Sequence, residues 1–278
     1  MALTSIKTDG DEIQIIDQLL LPHTEEWIRI DSTDDAYEAI KSMKIRGAPA
    51  IASLASLSIA SHLSSALKTD PSPPFLESLD ALKAHLDPIF THLFSSRPTA
   101  VNLGQAIGRL RKVLSHGVEA GSTTQAVAEL LVKEGRQIAD EDVGRNREMS
   151  RHGAQWIIAQ VEKRSPGASA NGLNVMTVCN TGSLATSVCN PFFVIFSFSF
   201  AFSFSSFFFL CLTRLGLEQG YGTALGVITH LHEIGKLKRA FYTQSTPYHQ
   251  GSRFVQPGSD LLRSTTGFLL IVNLDWPG

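Results

Sequence analysis

The run Leu173-Asn174-Val175-Met176-Thr177-Val178, followed by Cys179-Asn180-Thr181-Gly182-Ser183-Leu184-Ala185-Thr186, constrains the fold more than any other stretch of this chain. A short β-prone run that gives way to Asn, Thr, Gly and Ser reads as a buried strand, a loop and a helix start. In open α/β sheets ligands bind beyond the carboxyl ends of strands, where helix N-termini offer unpaired N–H groups to phosphate. A thiol placed there, that of Cys179, can meet a substrate. The competing reading is a small buried hydrophobe, the commonest fate of a free cysteine.

Upstream of that run the period is helical. Two short apolar runs, Ile13-Gln14-Ile15-Ile16 and Trp27-Ile28-Arg29-Ile30, predict a small β element within residues 11–30. Asp31-Ser32-Thr33 reads as a helix cap before a short helix over 36–43. Gly47-Ala48-Pro49 ends that helix, and Pro49 suits the first turn of the next, where its missing N–H costs nothing. Residues 50–67 are apolar or small on nearly every side, so this helix is expected to be buried. Further helices are predicted over 75–92, 101–115 and 124–163, the last opened by Ser122 and Gln125 at capping-box spacing. Residues 165–172 are a linker by composition. The pattern then changes to strand (173–178), helix (220–234) and strand (239–243). The expected fold is therefore α/β: a mainly helical N-terminal domain with a small β element, then the start of a parallel-sheet domain.

Charge and cysteine usage narrow the function. With a net charge of −2 over 278 residues the chain lacks the basic face that nucleic-acid binding requires. Three cysteines, Cys179, Cys189 and Cys211, form neither a disulfide framework nor a zinc pattern. With no apolar leader visible in residues 1–11, the expected location is the cytoplasm, with the nucleus as a second. One segment stands apart. Residues 192–212 carry no charge and ten of the 16 phenylalanines, enough in length and hydropathy for a membrane span. The aromatic belt and basic flank of a span are missing, with Arg214 alone on one side, so a membrane partner is not expected.

Four clusters can carry chemistry. Lys44-Ile45-Arg46-Gly47-Ala48-Pro49 sets a forked cation beside free helix-start N–H groups, which suits a phosphate or sugar phosphate. Ser95-Ser96-Arg97-Pro98-Thr99-Ala100-Val101-Asn102 repeats that logic; two ordinary caps with solvated arginines would look the same. The third cluster is Cys179 with its polar loop. The fourth, Gly220-Tyr221-Gly222-Thr223-Ala224-Leu225-Gly226, misses the dinucleotide spacing and its acidic partner, so it reads as helix packing on a sheet. Asp140, Glu141 and Asp142 lie mid-helix among arginines and read as a solvated face with i,i+4 pairs rather than an acid/base pair.

Together these segments resemble the methylthioribose-1-phosphate isomerases, relatives of the regulatory subunits of translation initiation factor 2B. The resemblance rests on residues 15–22, 43–52, 95–103, Glu141-Asp142 with Asn146-Arg147, His152-Gly153-Ala154, 179–186, 220–228 and Pro247-Tyr248-His249-Gln250-Gly251-Ser252-Arg253. It implies an aldose–ketose isomerase of methionine salvage, converting 5-methylthioribose 1-phosphate to 5-methylthioribulose 1-phosphate without cofactor or metal. The sheet domain would be Rossmann-like and the assembly a homodimer. Cys179 would be catalytic, and Arg46, Gly47, Ala48, Arg97 and Gln250 would bind substrate. A non-catalytic regulatory subunit of the initiation-factor type is the alternative.

The chain departs from that pattern twice. Residues 187–219, with the phenylalanine tract, interrupt the match and read as translated intron. Residues 254–278 no longer match, where the family's catalytic aspartate would be expected. The expected division is thus a helical domain over 1–164, a partial Rossmann-like domain over 173–253 broken by 187–219, and a tail over 254–278. A truncated, defective isomerase is the expectation that follows.

Overall fold

Alternating apolar residues near the start of the chain build an antiparallel meander. The computed structural model describes residues 4–21, 23–177, 183–186, 188–189, 223–243 and 266–269. In it β1 (Ile6–Asp9), β2 (Glu12–Ile16) and β3 (Trp27–Ile30) pair in sequence order. Ile6, Ile13, Ile15 and Ile30 share one buried side, as the two-residue strand period requires. The sequence places this element at 11–30; β1 lies before it. A lone isoleucine ahead of Lys7-Thr8-Asp9 gives too little alternation to be read as a strand. A further strand, β5 (Val188–Cys189), joins β1 in parallel, with Ile6 opposite Val188.

The helical part is organised around one apolar helix. Helix α1 (Thr33–Lys41) is capped by Ser32, whose side chain accepts from the Asp35 N–H at 3.0 Å. After a short loop comes α2 (Ala48–Lys68), with Pro49 in its first turn as expected. Helix α2 is long and apolar enough to cross a membrane, yet 78% of its apolar window is buried within the fold, which makes it the core helix. Around it pack α4 (Val101–Glu119) and α5 (Thr124–Arg164). Gly135 of α5 makes the closest approach, for a Cβ there would lie 2.6 Å from the Ser56 carbonyl oxygen. Helix α3 (Leu79–Ser95), capped by Ser78, buries Leu82, Leu86, Phe90 and Leu93 in one stripe.

Helix α5 is capped one residue later than the sequence suggests. The Ala126 N–H donates to Thr123 Oγ1 at 3.3 Å, so Thr123, not Ser122, is the cap. Adjacent hydroxyl residues make the two registers indistinguishable by spacing alone. Thr123→Ala is therefore expected to cost about 1 kcal/mol in urea unfolding, and Ser122→Ala less than half that.

With 41 residues, α5 extends roughly 60 Å and serves both parts of the molecule. Its first half packs on α2. Its second half packs on α7 (Thr223–Glu233), where Gly153 lies against Val227. Beneath that contact Ala154, Leu173 and Leu231 form a second core. Strands β4 (Leu173–Thr177), β6 (Leu237–Thr243) and β7 (Thr266–Leu269) make a parallel sheet in the order β4-β6-β7. Strand, helix and return strand thus follow the βαβ pattern expected from 173 onward. The tail beyond Arg253 contributes to this sheet, since β7 pairs with β6 through Ala240 opposite Thr266. The phenylalanine tract and the glycines at 220–222 lie outside the described residues.

Candidate functional site

The loop from Ser42 to Gly47 is folded inward by its own backbone. Met43 adopts φ 62°, an uncommon value for a side-chain-bearing residue, and turns the chain out of α1. The Ile45 N–H then donates back to the Ala39 carbonyl at 3.3 Å, and the Lys44 carbonyl accepts from the Gln18 N–H at 2.8 Å. With Ile45 fully buried beneath it, Arg46 follows into the interior and is only 3% exposed. Its Nη2 donates to the Gln18 carbonyl at 3.3 Å. A guanidinium drawn this far from water is not the solvated surface arginine of the alternative reading.

Gly47 comes next, at φ 109°, against α6 (Ser183–Thr186), the short helix that ends the cysteine motif. A Cβ on Gly47 would lie 2.4 Å from the Ala185 carbonyl oxygen and 2.5 Å from its Cα. The contact therefore requires glycine twice over, by backbone angle and by space. Gln18 closes the same junction: its Nε2 donates to the Leu184 carbonyl at 2.8 Å. Leu184 packs with Ile16 and Leu21, and Ala185 is buried. The Arg46-Gly47-Ala48 loop and the end of the cysteine motif, separate clusters in the sequence, are thus one junction in space.

Arg97, in the turn between α3 and α4, is half-buried, and its carbonyl accepts from the Ala100 N–H at 2.9 Å. The starts of α2 and α4 open onto one cavity of about 390 Å³, with Pro49 and Ser53 on one wall, Asn102 and Gln105 on another, and Arg109 and Arg145 behind. Neither Arg46 nor Arg97 is among its lining residues. Ala48 is exposed at the start of α2. Cys179 and Gln250 lie outside the described residues. Among the described residues no group of three or more His, Cys, Asp or Glu side chains could hold a metal ion.

Behind this cavity the expected i,i+4 pairing is present at Glu141, with a tertiary partner added to it. Glu141 does pair with Arg145 four residues on, but it also takes a two-pronged contact from Arg109 of α4, at 2.9 and 3.1 Å. Arg109 Nε donates in addition to Glu134 at 2.7 Å. The Arg109 bonds, with help from Gln137 and Arg145, hold the Glu141 carboxyl down at about 2. Helical spacing predicts only the i,i+4 partner. Arg109, 32 residues away, is brought in by the α4–α5 packing.

A pH dependence follows. Because the Glu141 pKa in the fold, about 2, lies below its ordinary 4.5, its stabilisation is complete above pH 4.5 and lost as pH falls through 2. Solvent reaches the network, so its expected size is only about 1 kcal/mol. Glu141→Gln should lower the unfolding midpoint at pH 7 and reduce the loss of stability between pH 4.5 and 2.

The geometry can be set beside known proteins. The sequence profile of the initiation factor 2 subunit family matches residues 44–260, seven residues past the point where the motif resemblance ends. The chain is 54% identical over 251 residues to the methylthioribose-1-phosphate isomerase of Postia placenta, covering 90% of this chain and 56% of that protein. It is 51% identical over 253 residues to the isomerase of the same name from Laccaria bicolor, covering 91% and 58%. It thus spans little more than half the length of the curated relatives it matches. Among solved structures it is similar to 5-methylthioribose 1-phosphate isomerase from Pyrococcus horikoshii, with TM-score 0.67 and 24% identity over 96% of this chain and 60% of that one. That likeness is one of fold. It is also similar to the delta subunit of translation initiation factor eIF-2B from A. fulgidus, with TM-score 0.59 and 30% identity over 97% and 62%.

Proposed function

The chain belongs to the initiation factor 2 subunit family, and from that premise we propose that it is an aldose–ketose isomerase acting on 5-methylthioribose 1-phosphate. The observation that carries this reading is the junction at Gly47, where the Arg46-Gly47-Ala48 loop meets the helix that ends the cysteine motif. The fungal relatives of 54% and 51% identity, both named as isomerases of that compound, support it.

The chemistry explains why such a junction is useful. In this substrate the anomeric oxygen carries the phosphate, so the ring must open before hydrogen can move between C1 and C2. That requires an acid/base pair in a pocket shielded from water. In the proposal, Arg46 and the N–H groups of Gly47 and Ala48 hold the sugar phosphate, Arg97 and Gln250 add further contacts, and Cys179 serves as the catalytic thiol. Depressing a thiol pKa takes a cation or a helix start nearby, and the junction brings both types of group to the end of the cysteine motif. The proposed assembly is a homodimer in the cytoplasm.

The test is direct. The purified chain is titrated with 5-methylthioribose 1-phosphate by calorimetry, and conversion is followed by ¹³C NMR at C1 and C2. Binding in the micromolar-to-millimolar range with appearance of the ketose supports the proposal. Binding without conversion fits a sugar-phosphate site whose catalytic part is missing, whether in a truncated isomerase or in the alternative, a sugar-phosphate-sensing regulatory subunit. Absence of binding by the folded chain overturns the reading.

A further inference from the structure

We infer that Gln18 is a positioning residue for this site, its side-chain amide clasping the Arg46–Gly47 peptide to helix α6; the inference rests on the isomerase reading only for what the clasp serves. Gln18 is 1% exposed and makes contacts in two directions. Its Nε2 donates to the Leu184 carbonyl at 2.8 Å, across 166 residues of sequence, and reaches the Arg46 carbonyl at 3.5 Å. Its own carbonyl accepts from Arg46 Nη2 at 3.3 Å, and its N–H donates to the Lys44 carbonyl at 2.8 Å. One residue thus holds the arginine by both main chain and side chain.

The choice of an amide follows from the acceptors. Leu184 and Arg46 each present a carbonyl oxygen, and a terminal NH₂ group has a hydrogen for each. A carboxylate in its place would set oxygen against oxygen, and a thioether would bond neither. Gln18 is in turn held firmly. The Asp17 N–H donates to the Glu26 carbonyl at 2.8 Å, and Asp17 Oδ1 accepts from the Leu19 N–H at 2.9 Å. Those bonds tie the residue to β2 and to the chain entering β3.

The consequence for the site lies in peptide geometry. The carbonyl of Arg46 and the N–H of Gly47 belong to one planar trans unit and point in opposite directions. With the carbonyl drawn toward Gln18, the Gly47 N–H is turned away from it. At φ 109° glycine leaves the backbone free to turn either way, so a tertiary contact is what selects this orientation. Gln18 therefore sets which way the proposed phosphate-binding donor faces, and docks it on α6 in the same act. Its role is in positioning, since the bonds it makes to the described residues go to backbone and to Arg46.

Gln18→Met and Gln18→Glu test this by hydrogen–deuterium exchange and by calorimetry with 5-methylthioribose 1-phosphate. The expected result in both variants is at least roughly tenfold faster exchange in peptides covering 44–48 and 183–186, with α3 unchanged. Affinity for the sugar phosphate should fall by about tenfold, the scale of one hydrogen bond of typical strength. Unchanged exchange at 183–186 in both variants overturns the clasp, as does equal acceleration in α3, which would mark a general loss of stability. Unchanged affinity beside local loosening overturns the positioning role. If the unaltered chain binds no sugar phosphate, the isomerase reading fails, while the exchange measurement still decides the clasp.

Discussion

Gly47→Ala is expected to destabilise the chain by about 3 kcal/mol and to abolish sugar-phosphate binding at millimolar ligand. Two costs add. The backbone at φ 109° lies where a residue with a Cβ is strained, worth about 1–3 kcal/mol. The new methyl would also fall 2.4 Å from the Ala185 carbonyl oxygen, and overpacking against backbone costs about 1–3 kcal/mol more. A side chain could rotate aside, but a backbone carbonyl can yield only by moving α6. Relief of the clash therefore separates the two halves of the junction. Urea unfolding gives the first quantity and calorimetry the second. A variant as stable as the parent and still binding would mean that Gly47 and Ala185 are not in contact in solution.

The second large effect falls on binding rather than on the fold. Arg46→Met keeps the length of the side chain and removes its charge. Two charge-assisted hydrogen bonds to phosphate, at about 1.5–3 kcal/mol each, would be lost, so affinity should drop by about 10² to 10⁴-fold. Stability should change far less. Removing a guanidinium that is 3% exposed also removes the cost of keeping a charge out of water, which offsets the bonding it gives up, the bond to the Gln18 carbonyl included. The signature is a variant with a nearly unchanged urea midpoint and no measurable affinity. A variant that binds normally would place the phosphate elsewhere. Arg97→Met is the companion measurement: because Arg97 is half-buried with its side chain nearer solvent, a smaller loss of affinity is expected.

Much of this architecture can be read without coordinates, wherever the signal is local. The cap at Ser32, the start of α2 around Pro49 and the strand from Leu173 all depend on neighbours within four residues. Where adjacent residues offer the same chemistry, as Ser122 and Thr123 do, spacing alone leaves the choice open and tertiary geometry makes it. Strand β7 is a different case. Gly267-Phe268-Leu269 is short and follows a stretch with no recognisable motif, so nothing local marks it as a partner of β6.

The sequence by itself determined the order of the helices and of strands β2, β3, β4 and β6, the buried character of α2, and the motifs that mark Arg46, Gly47, Ala48, Arg97, Cys179 and Gln250 as candidates. The elements and the clusters around Arg46, Arg97 and Cys179 follow from side-chain period, capping chemistry and residue type, which act over a few positions of chain, whereas Gln250 is marked by the family resemblance alone. Only the tertiary structure decided that Gly47 touches Ala185, that Gln18 bonds the carbonyl of Leu184, and that Glu141 grips Arg109. Each of those contacts joins segments that fold as separate elements. Their meeting depends on how helices and strands pack, a property of the whole chain that no short window of residues contains.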